Sequence, residues 1–254
     1  MAGCGGGAAL LHPAHVLPAG RVSAGAGAGG QFVLDERARS VPSGSPEQQF
    51  LQSAGASLSL SPGLSPWVGA RAGITGNNEA GVTYTGRTLR VDGRHAFGKD
   101  AVTASIGAGA SAVLSHPGAR APSAEDAGRF ANEVDQTTAP GFGFDVPALV
   151  GWRSTPAVAQ VWAGARGGME RVSADLSLRA TGSASVTATR WYGGALVGFA
   201  VGVDPLWVAL ELDIAYQSVS LGADFPAASG EPEHRGATLT GVTLSPAAAL
   251  VGKF

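Results

Sequence analysis

The feature that most restricts the fold of this chain is a two-residue alternation of apolar and polar side chains. Between Trp207 and Gln217, every second residue is large and apolar: Val208, Leu210, Leu212, Ile214 and Tyr216. The residues between them are small or polar and include Glu211. A helix would bring Glu211 and Leu212 onto one broad face, whereas a strand places them on opposite faces. The segment is therefore predicted to be a β-strand with one apolar face.

The composition limits where such strands are placed. Charged residues make up 14% of the chain, against about 25% in an ordinary soluble domain. No apolar run approaches the roughly 20 residues that a transmembrane helix requires. Two alternatives remain, a Gly- and Ala-rich soluble β-protein or a barrel in which every second residue faces lipid. The formal net charge of −2 shows no basic excess, so no nucleic-acid partner is expected.

The same alternation recurs along the chain and predicts ten strands. They cover residues 21–34, 66–75, 79–85, 87–97, 101–114, 141–153, 158–178, 183–201, 207–217 and 237–254. Eight or twelve strands remain alternatives, because residues 35–65 have room for another hairpin. The apolar phase changes near Arg171, which indicates either a bulge or the point where the strand leaves lipid.

The long connections between these strands all fall at one end of the barrel, together with two short ones near Gly86 and Gly182. Short turns lie near residues 76–78, 98–100, 154–156 and 202–205. The long segments 35–65, 116–140 and 222–236 all fall at the opposite ends of the strands. Membrane barrels have short periplasmic turns and longer outer loops. The pattern therefore places every long segment on the outer side.

Aromatic residues are expected at two levels, as in the interfacial girdles of lipid-spanning barrels. One level, at the periplasmic strand ends, consists of Phe97, Trp152, Phe199, Trp207 and Phe254. The other, near the outer ends, consists of Phe32, Tyr84, Phe142, Phe144 and Tyr216.

The chain ends in Phe254, which closes an alternating and almost uncharged segment. Leu250 fits the apolar pattern of such a C-terminal strand, whereas Gly252 occupies a position where an aromatic residue is common. Pro246 cannot donate a backbone hydrogen bond, so weak pairing of the last strand is predicted there. With the aromatic levels, this ending resembles the small bacterial outer-membrane β-barrels, the class of the OmpA-like domain and the ten-stranded surface enzymes. The resemblance covers residues 21–254.

The resemblance implies an all-β fold, a single antiparallel up-and-down transmembrane β-barrel in a Gram-negative outer membrane. It also implies outer-membrane lipid as a partner, and the barrel-assembly machinery as a partner that reads the C-terminal strand through Phe254. The sequence indicates no oligomeric state.

Residues 1–20 are expected to form a flexible leader or lipoprotein tether ahead of the barrel. Cys4 is the only cysteine, so no internal disulfide is expected. Its setting, Met1-Ala2-Gly3-Cys4-Gly5, resembles the end of a bacterial lipobox, in which small residues precede an acylated cysteine. Lipidation at Cys4 and an accidental cysteine are the two alternatives.

The inward faces of the predicted strands carry most of the strand charges. This lumen network consists of Arg71, Glu79, Arg90, Asp92, Arg94, Asp145, Arg153, Arg166, Glu170, Glu211 and Asp213. The two signs nearly balance, and buried charges require partners. The sequence therefore predicts a charge-filled lumen, which is either a structural ion-pair plug or the gate of a narrow pore.

A structural, adhesive or narrow-pore role is expected, without cofactor or metal. The alternative is a surface hydrolase of the lipase or protease type, with its site at the outer rim. His116 and His234 are the weak catalytic candidates, because both fall in predicted outer loops near acidic residues. His12 and His15 are too isolated in sequence for a metal site.

Overall fold

The computed structural model describes residues 9–34, 63–98, 101–114, 134–138, 140–178, 182–225 and 233–254. These residues form eleven β-strands. The strands are β1 Val22–Val33, β2 Gly63–Gly73, β3 Asn78–Tyr84, β4 Thr88–Phe97, β5 Val102–Val113, β6 Val134–Thr138, β7 Gly141–Arg153, β8 Ala159–Leu178, β9 Gly182–Val203, β10 Leu206–Phe225 and β11 Glu233–Lys253. No helix in this part of the chain is long and apolar enough to cross a membrane.

Ten of these strands form a closed antiparallel ring. Each strand pairs with the next along the chain, β5 pairs with β7, and β1 pairs with β11 to close the ring. Strand β6 lies outside the ring and pairs only with the far end of β8, at Asp175 to Leu178. The predicted ten-stranded up-and-down barrel is confirmed, and β6 is a short additional strand within a segment that was expected to be loop.

The barrel has two distinct ends. The turn end carries the short connections after β2, β4, β7 and β9, together with the start of β1 and the end of β11. The loop end carries the remaining connections. Phe254 lies at the turn end, where its backbone exchanges hydrogen bonds of 2.8 and 3.0 Å with Val22 across the closing seam. The turn end corresponds to the periplasmic side in barrels of this type.

The outer surface of the barrel is apolar and the lumen is polar. Outward side chains such as Val91, Ile106, Val150 and Leu212 are roughly half exposed, which is the reverse of a soluble protein. The girdle aromatics are exposed at both levels, with one exception. Trp207 was expected in the turn-end girdle, but its side chain points into the lumen and is only 3% exposed. That expectation was wrong, because Trp207 shares the strand face of Ala209 and Glu211.

Strands β8 to β11 are 20–22 residues long and continue past the lipid at the loop end. A membrane strand needs only about 9–11 residues. In the projecting part, Val172 and Val219 are buried on the inner face while Ser173 and Ser220 are exposed outside. The register of β8 is continuous through Arg171. The phase change near Arg171 is therefore the exit from lipid and not a bulge.

The closing seam between β1 and β11 is interrupted in its middle. Pairing runs from Ser23 with Lys253 to Gly29 with Ala247 and resumes at Phe32 with Leu244. The interruption lies beside Pro246, which has no N–H to donate to the ladder. The weak seam expected from the sequence is present.

Candidate functional site in the barrel lumen

A continuous row of ion pairs follows the inner wall from β2 to β8. It begins with Arg94, whose Nη2 lies 2.9 Å from Glu79 Oε1, and Glu79 also pairs with Arg71. Arg71 reaches Asp92, with 2.5 Å between Nη2 and Oδ2. Glu79 on β3 lies opposite Arg94 on β4 and diagonal to Arg71 on β2. Arg71 reaches Asp92 across β3 at Gly81, which pairs with both residues. Guanidinium and carboxylate groups therefore alternate along this part of the wall.

The row continues across β4, β7 and β8. Arg90 bridges Asp92 at 2.5 Å and Asp145 at 2.7 Å, and Asp145 also accepts from Arg166 at 3.1 Å. Arg90 crosses β5 at Gly109, where an added Cβ would lie 2.5 Å from the guanidinium. A glycine is needed there to let the pair form across the intervening strand. We call these seven residues the ion-pair row: Arg94, Glu79, Arg71, Asp92, Arg90, Asp145 and Arg166.

A second group lies nearer the loop end. Glu170 accepts from Arg87 at 2.8 Å and from Arg190 at 3.2 Å. Glu170 was predicted to belong to the lumen network, whereas neither arginine was. Arg190 has the parity of Leu196 and Ala200 on the lumen face of β9 and the opposite parity to the exposed Phe199, so alternation along β9 directs it inward. Arg87 was included in the predicted strand 87–97, where it has the parity of the outward Leu89 and Val91. It lies instead in the turn before β4, and its side chain is buried.

Three members of the predicted lumen network lie outside these two groups. Arg153 is half-buried at the turn end, and Asp213 lines a small lumen pocket together with Arg166. Glu211 is 5% exposed and binds a different part of the chain.

Residues 9–18 lie inside the lumen and are called the inner segment below. Its apolar residues Ala9, Leu10, Leu11 and Ala14 are buried against lumen residues of the barrel. The expected flexible leader, as far as the structure describes it, enters the barrel instead of extending away from it. Cys4 lies outside the described residues.

Glu211 anchors the inner segment near its start. Its two carboxylate oxygens accept the backbone N–H groups of Leu10 at 2.7 Å and Leu11 at 3.0 Å. The indole N–H of Trp162 also donates to Glu211, at 3.2 Å. Three N–H donors thus surround one buried carboxylate. Glu211 was predicted to belong to the ion-pair network, but its contacts are to the inner segment and to Trp162.

Other lumen residues bind the backbone of the inner segment further along. Trp67 Nε1 donates to the carbonyl of Ala9 at 3.2 Å, and Glu79 accepts the N–H of Leu17 at 2.8 Å. Arg94 donates to the carbonyls of Pro13 and His15, the latter at 3.0 Å. Arg94 and Glu79 therefore join the ion-pair row to the inner segment.

His12 takes part in the same contact. Its Nδ1 lies 2.8 Å from Nη1 of Arg94. Because a guanidinium only donates, Nδ1 is the acceptor and the ring proton is on Nε2. Burial and the nearby guanidinium groups of Arg71 and Arg94 lower the pKa of His12 well below its ordinary value. His12 is therefore neutral at pH 7.

The two catalytic candidates of the sequence analysis have different outcomes. His116 lies outside the described residues. His234 Nδ1 lies 2.8 Å from Asp224 Oδ1 at the loop end, and both side chains are more than half exposed. The structure therefore places an imidazole beside a carboxylate at the outer rim, in open solvent.

No protein-family model matches the chain, and no curated protein matches its sequence. The Neisserial surface protein A, NspA, is similar in fold at 14% identity and a TM-score of 0.33, over 92% of this chain and 96% of that chain. A major outer membrane protein from Thermus thermophilus is 10% identical with a TM-score of 0.42, over 92% and 98%. The outer membrane protease OmpT from Escherichia coli is 7% identical with a TM-score of 0.42, over 92% and 97%. Likenesses at this level carry no argument about activity.

The features of the chain itself define its class. A closed ring of ten strands, an apolar outer band with aromatic girdles, and a charged lumen together are the architecture of bacterial outer-membrane β-barrels. The chain is an outer-membrane barrel of this small, up-and-down kind.

Proposed function

We propose that this protein is a non-enzymatic outer-membrane barrel that acts as a narrow pore, closed at rest by its own inner segment. The supporting observation is that the lumen wall binds the backbone of residues 9–17 through Glu211, Trp67, Arg94 and Glu79. These contacts are independent of the β-ladders that close the barrel. The inner segment can therefore leave without opening a strand pair.

The ion-pair row serves as the fixed wall of this pore. Each interior member of the row has two partners of opposite charge, so moving one guanidinium would leave buried carboxylates unpaired. Removing one partner of a buried pair is strongly unfavourable. The inner segment, held by hydrogen bonds and packing only, is the more easily displaced of the two.

Deletion of residues 9–17 is expected to convert a silent barrel into a conducting one. The full chain should show no resolvable current steps in planar lipid bilayers, and the deletion should show discrete steps. A deletion of residues 2–8 retains every described contact of the inner segment and is the matched control, which should stay silent. The faster migration of unboiled protein on a gel verifies that each variant is a folded barrel.

A folded deletion variant that remains silent would overturn the pore and leave a purely structural or adhesive barrel. Glu211→Ala removes the carboxylate that binds Leu10 and Leu11 and replaces the deletion if the shortened chain does not fold. Once thiol labelling shows that the inner segment is released in this variant, conduction by a folded barrel supports the pore and silence contradicts it.

A surface hydrolase is the second candidate, favoured by the pairing of His234 with Asp224. A carboxylate on Nδ1 orients an imidazole so that Nε2 can act as a base. Both side chains are exposed to water, whereas a preorganised catalytic site excludes it. The hydrolase is therefore the second candidate, after the pore. If it is catalytic, His234→Ala should abolish ester or peptide hydrolysis by the purified barrel. Activity that persists in His234→Ala and in His116→Ala would exclude both histidines.

A further inference from the structure

A cavity of about 360 Å³ lies between the inner segment and the barrel wall at the turn end. Its rim includes the exposed turn residues Ala157 and Asp204, so it is reached from that end of the barrel. Sites for small molecules in proteins have volumes of about 300–1,000 Å³. The cavity is therefore large enough for a small organic molecule while the inner segment is still in place.

The walls of this cavity are partly aromatic. Trp67 and Trp207 line it, and both side chains are buried, at 6% and 3% exposure. Val251 lies beside them as a partly buried apolar neighbour. Such surfaces favour the apolar body of a ligand, because its burial removes apolar area from water.

The charged side chains that line the cavity are mostly positive. Five are cationic, Arg21, Arg71, Arg94, Arg153 and Lys253, and two are acidic, Glu79 and Asp204. Asp92 compensates Arg71 from outside the lining. A cationic excess remains, so the cavity attracts anions. The ammonium of Lys253 is positioned over Trp207, 3.6 Å from the ring centroid, and joins the charged and aromatic parts of the wall.

Two buried polar atoms of the lining have no hydrogen-bond partner among the described residues. They are His12 Nε2 and Gln160 Oε1. The tautomer of His12 makes Nε2 a donor, and rotation of the Gln160 amide by half a turn would present its NH₂ group instead of its oxygen. A buried polar group without a partner is costly, and such a group in a cavity calls for a bound molecule or water. The N–H of His12 is therefore available to donate to a carboxylate, and Gln160 donates to it in the rotated form.

We propose that this cavity is a binding site for a small organic anion, a carboxylate on an apolar body. The carboxylate contacts Lys253 and the N–H of His12, and the apolar body packs on Trp67 and Trp207. This site goes beyond the pore proposed above, because a permanently closed barrel would offer it equally. The inner segment forms one of its walls.

Isothermal titration calorimetry of the full chain in detergent tests the site. Benzoate is the probe, and benzylamine is its cationic counterpart. Benzoate should bind saturably with one site per chain, and benzylamine should bind about tenfold more weakly or not at all. Added salt should weaken benzoate binding, because part of the attraction is electrostatic. Empty micelles provide the baseline for partition into detergent.

Lys253→Gln should weaken benzoate binding by about tenfold, and His12→Phe by a comparable factor. The matched control is Arg171→Gln, which removes an exposed positive charge at the other end of the barrel and should leave binding unchanged. Folding of each variant is verified by the faster migration of the unboiled protein on a gel, compared with the boiled protein. The proposal is overturned if benzoate does not saturate, if benzylamine binds as well, or if folded Lys253→Gln and His12→Phe both bind as the parent does.

Discussion

Arg90→Ala is expected to lower the free energy of unfolding of the barrel by about 3 kcal/mol. Arg90 is 3% exposed and holds two carboxylates, Asp92 and Asp145, at 2.5 and 2.7 Å. Its removal leaves each carboxylate with a single remaining cation, Arg71 or Arg166, and divides the ion-pair row in the middle. The loss reflects two buried carboxylates that each lose one of their two cations, in addition to lost packing.

Urea titration of the barrel in lipid vesicles, followed by tryptophan fluorescence, measures this change. The control is Arg171→Ala, an exposed arginine on β8, for which a change within about 0.5 kcal/mol is expected. Equal destabilisation by Arg90→Ala and Arg171→Ala would contradict a buried network.

Glu211→Ala is expected to release the inner segment from the lumen. The substitution leaves the N–H groups of Leu10, Leu11 and Trp162 without their acceptor. Each buried unsatisfied donor costs about 1–3 kcal/mol. Water entering the space left by the carboxylate offsets part of this cost, so the effect is smaller than the sum.

Thiol labelling measures the release. With Cys4→Ser as background, Leu10→Cys places the only thiol at a position that is 3% exposed in the folded barrel. Labelling by a water-soluble maleimide should be about tenfold faster or more when Glu211→Ala is added. Glu170→Ala is the matched control, because Glu170 is also a buried lumen glutamate but binds Arg87 and Arg190.

Two results would argue against the anchoring role of Glu211. One is an unchanged labelling rate in Glu211→Ala. The other is an equal acceleration in Glu170→Ala, which would indicate general loosening of the lumen.

The strand content and the direction of most charged side chains were predictable from sequence. Arg90, Asp92 and Asp145 were placed in the lumen because side chains alternate strictly along a strand, and an apolar face defines the opposite one. Alternation along the predicted strand 87–97 directs Arg87 outward with Leu89, but Arg87 lies in the turn before β4 and is buried. Trp207 could have been placed, since its parity with Glu211 already directs it inward. Its assignment to the girdle followed its position at a strand end and ignored its face.

The sequence by itself determined an all-β chain whose strands have one apolar face, because a period of two is a local property that each strand carries alone. It predicted ten strands and left eight or twelve as alternatives, and the closed ring of ten was decided by the tertiary structure. Only the tertiary structure decided what fills that barrel. Residues 9–18 show no alternation that would predict a position in the lumen. In the sequence, Glu211 and Arg94 do not differ from the other charged residues of the inward strand faces. Their roles arise when β1 closes on β11 and encloses the inner segment. Such contacts between residues about 80 to 200 positions apart depend on closure, which no local pattern encodes.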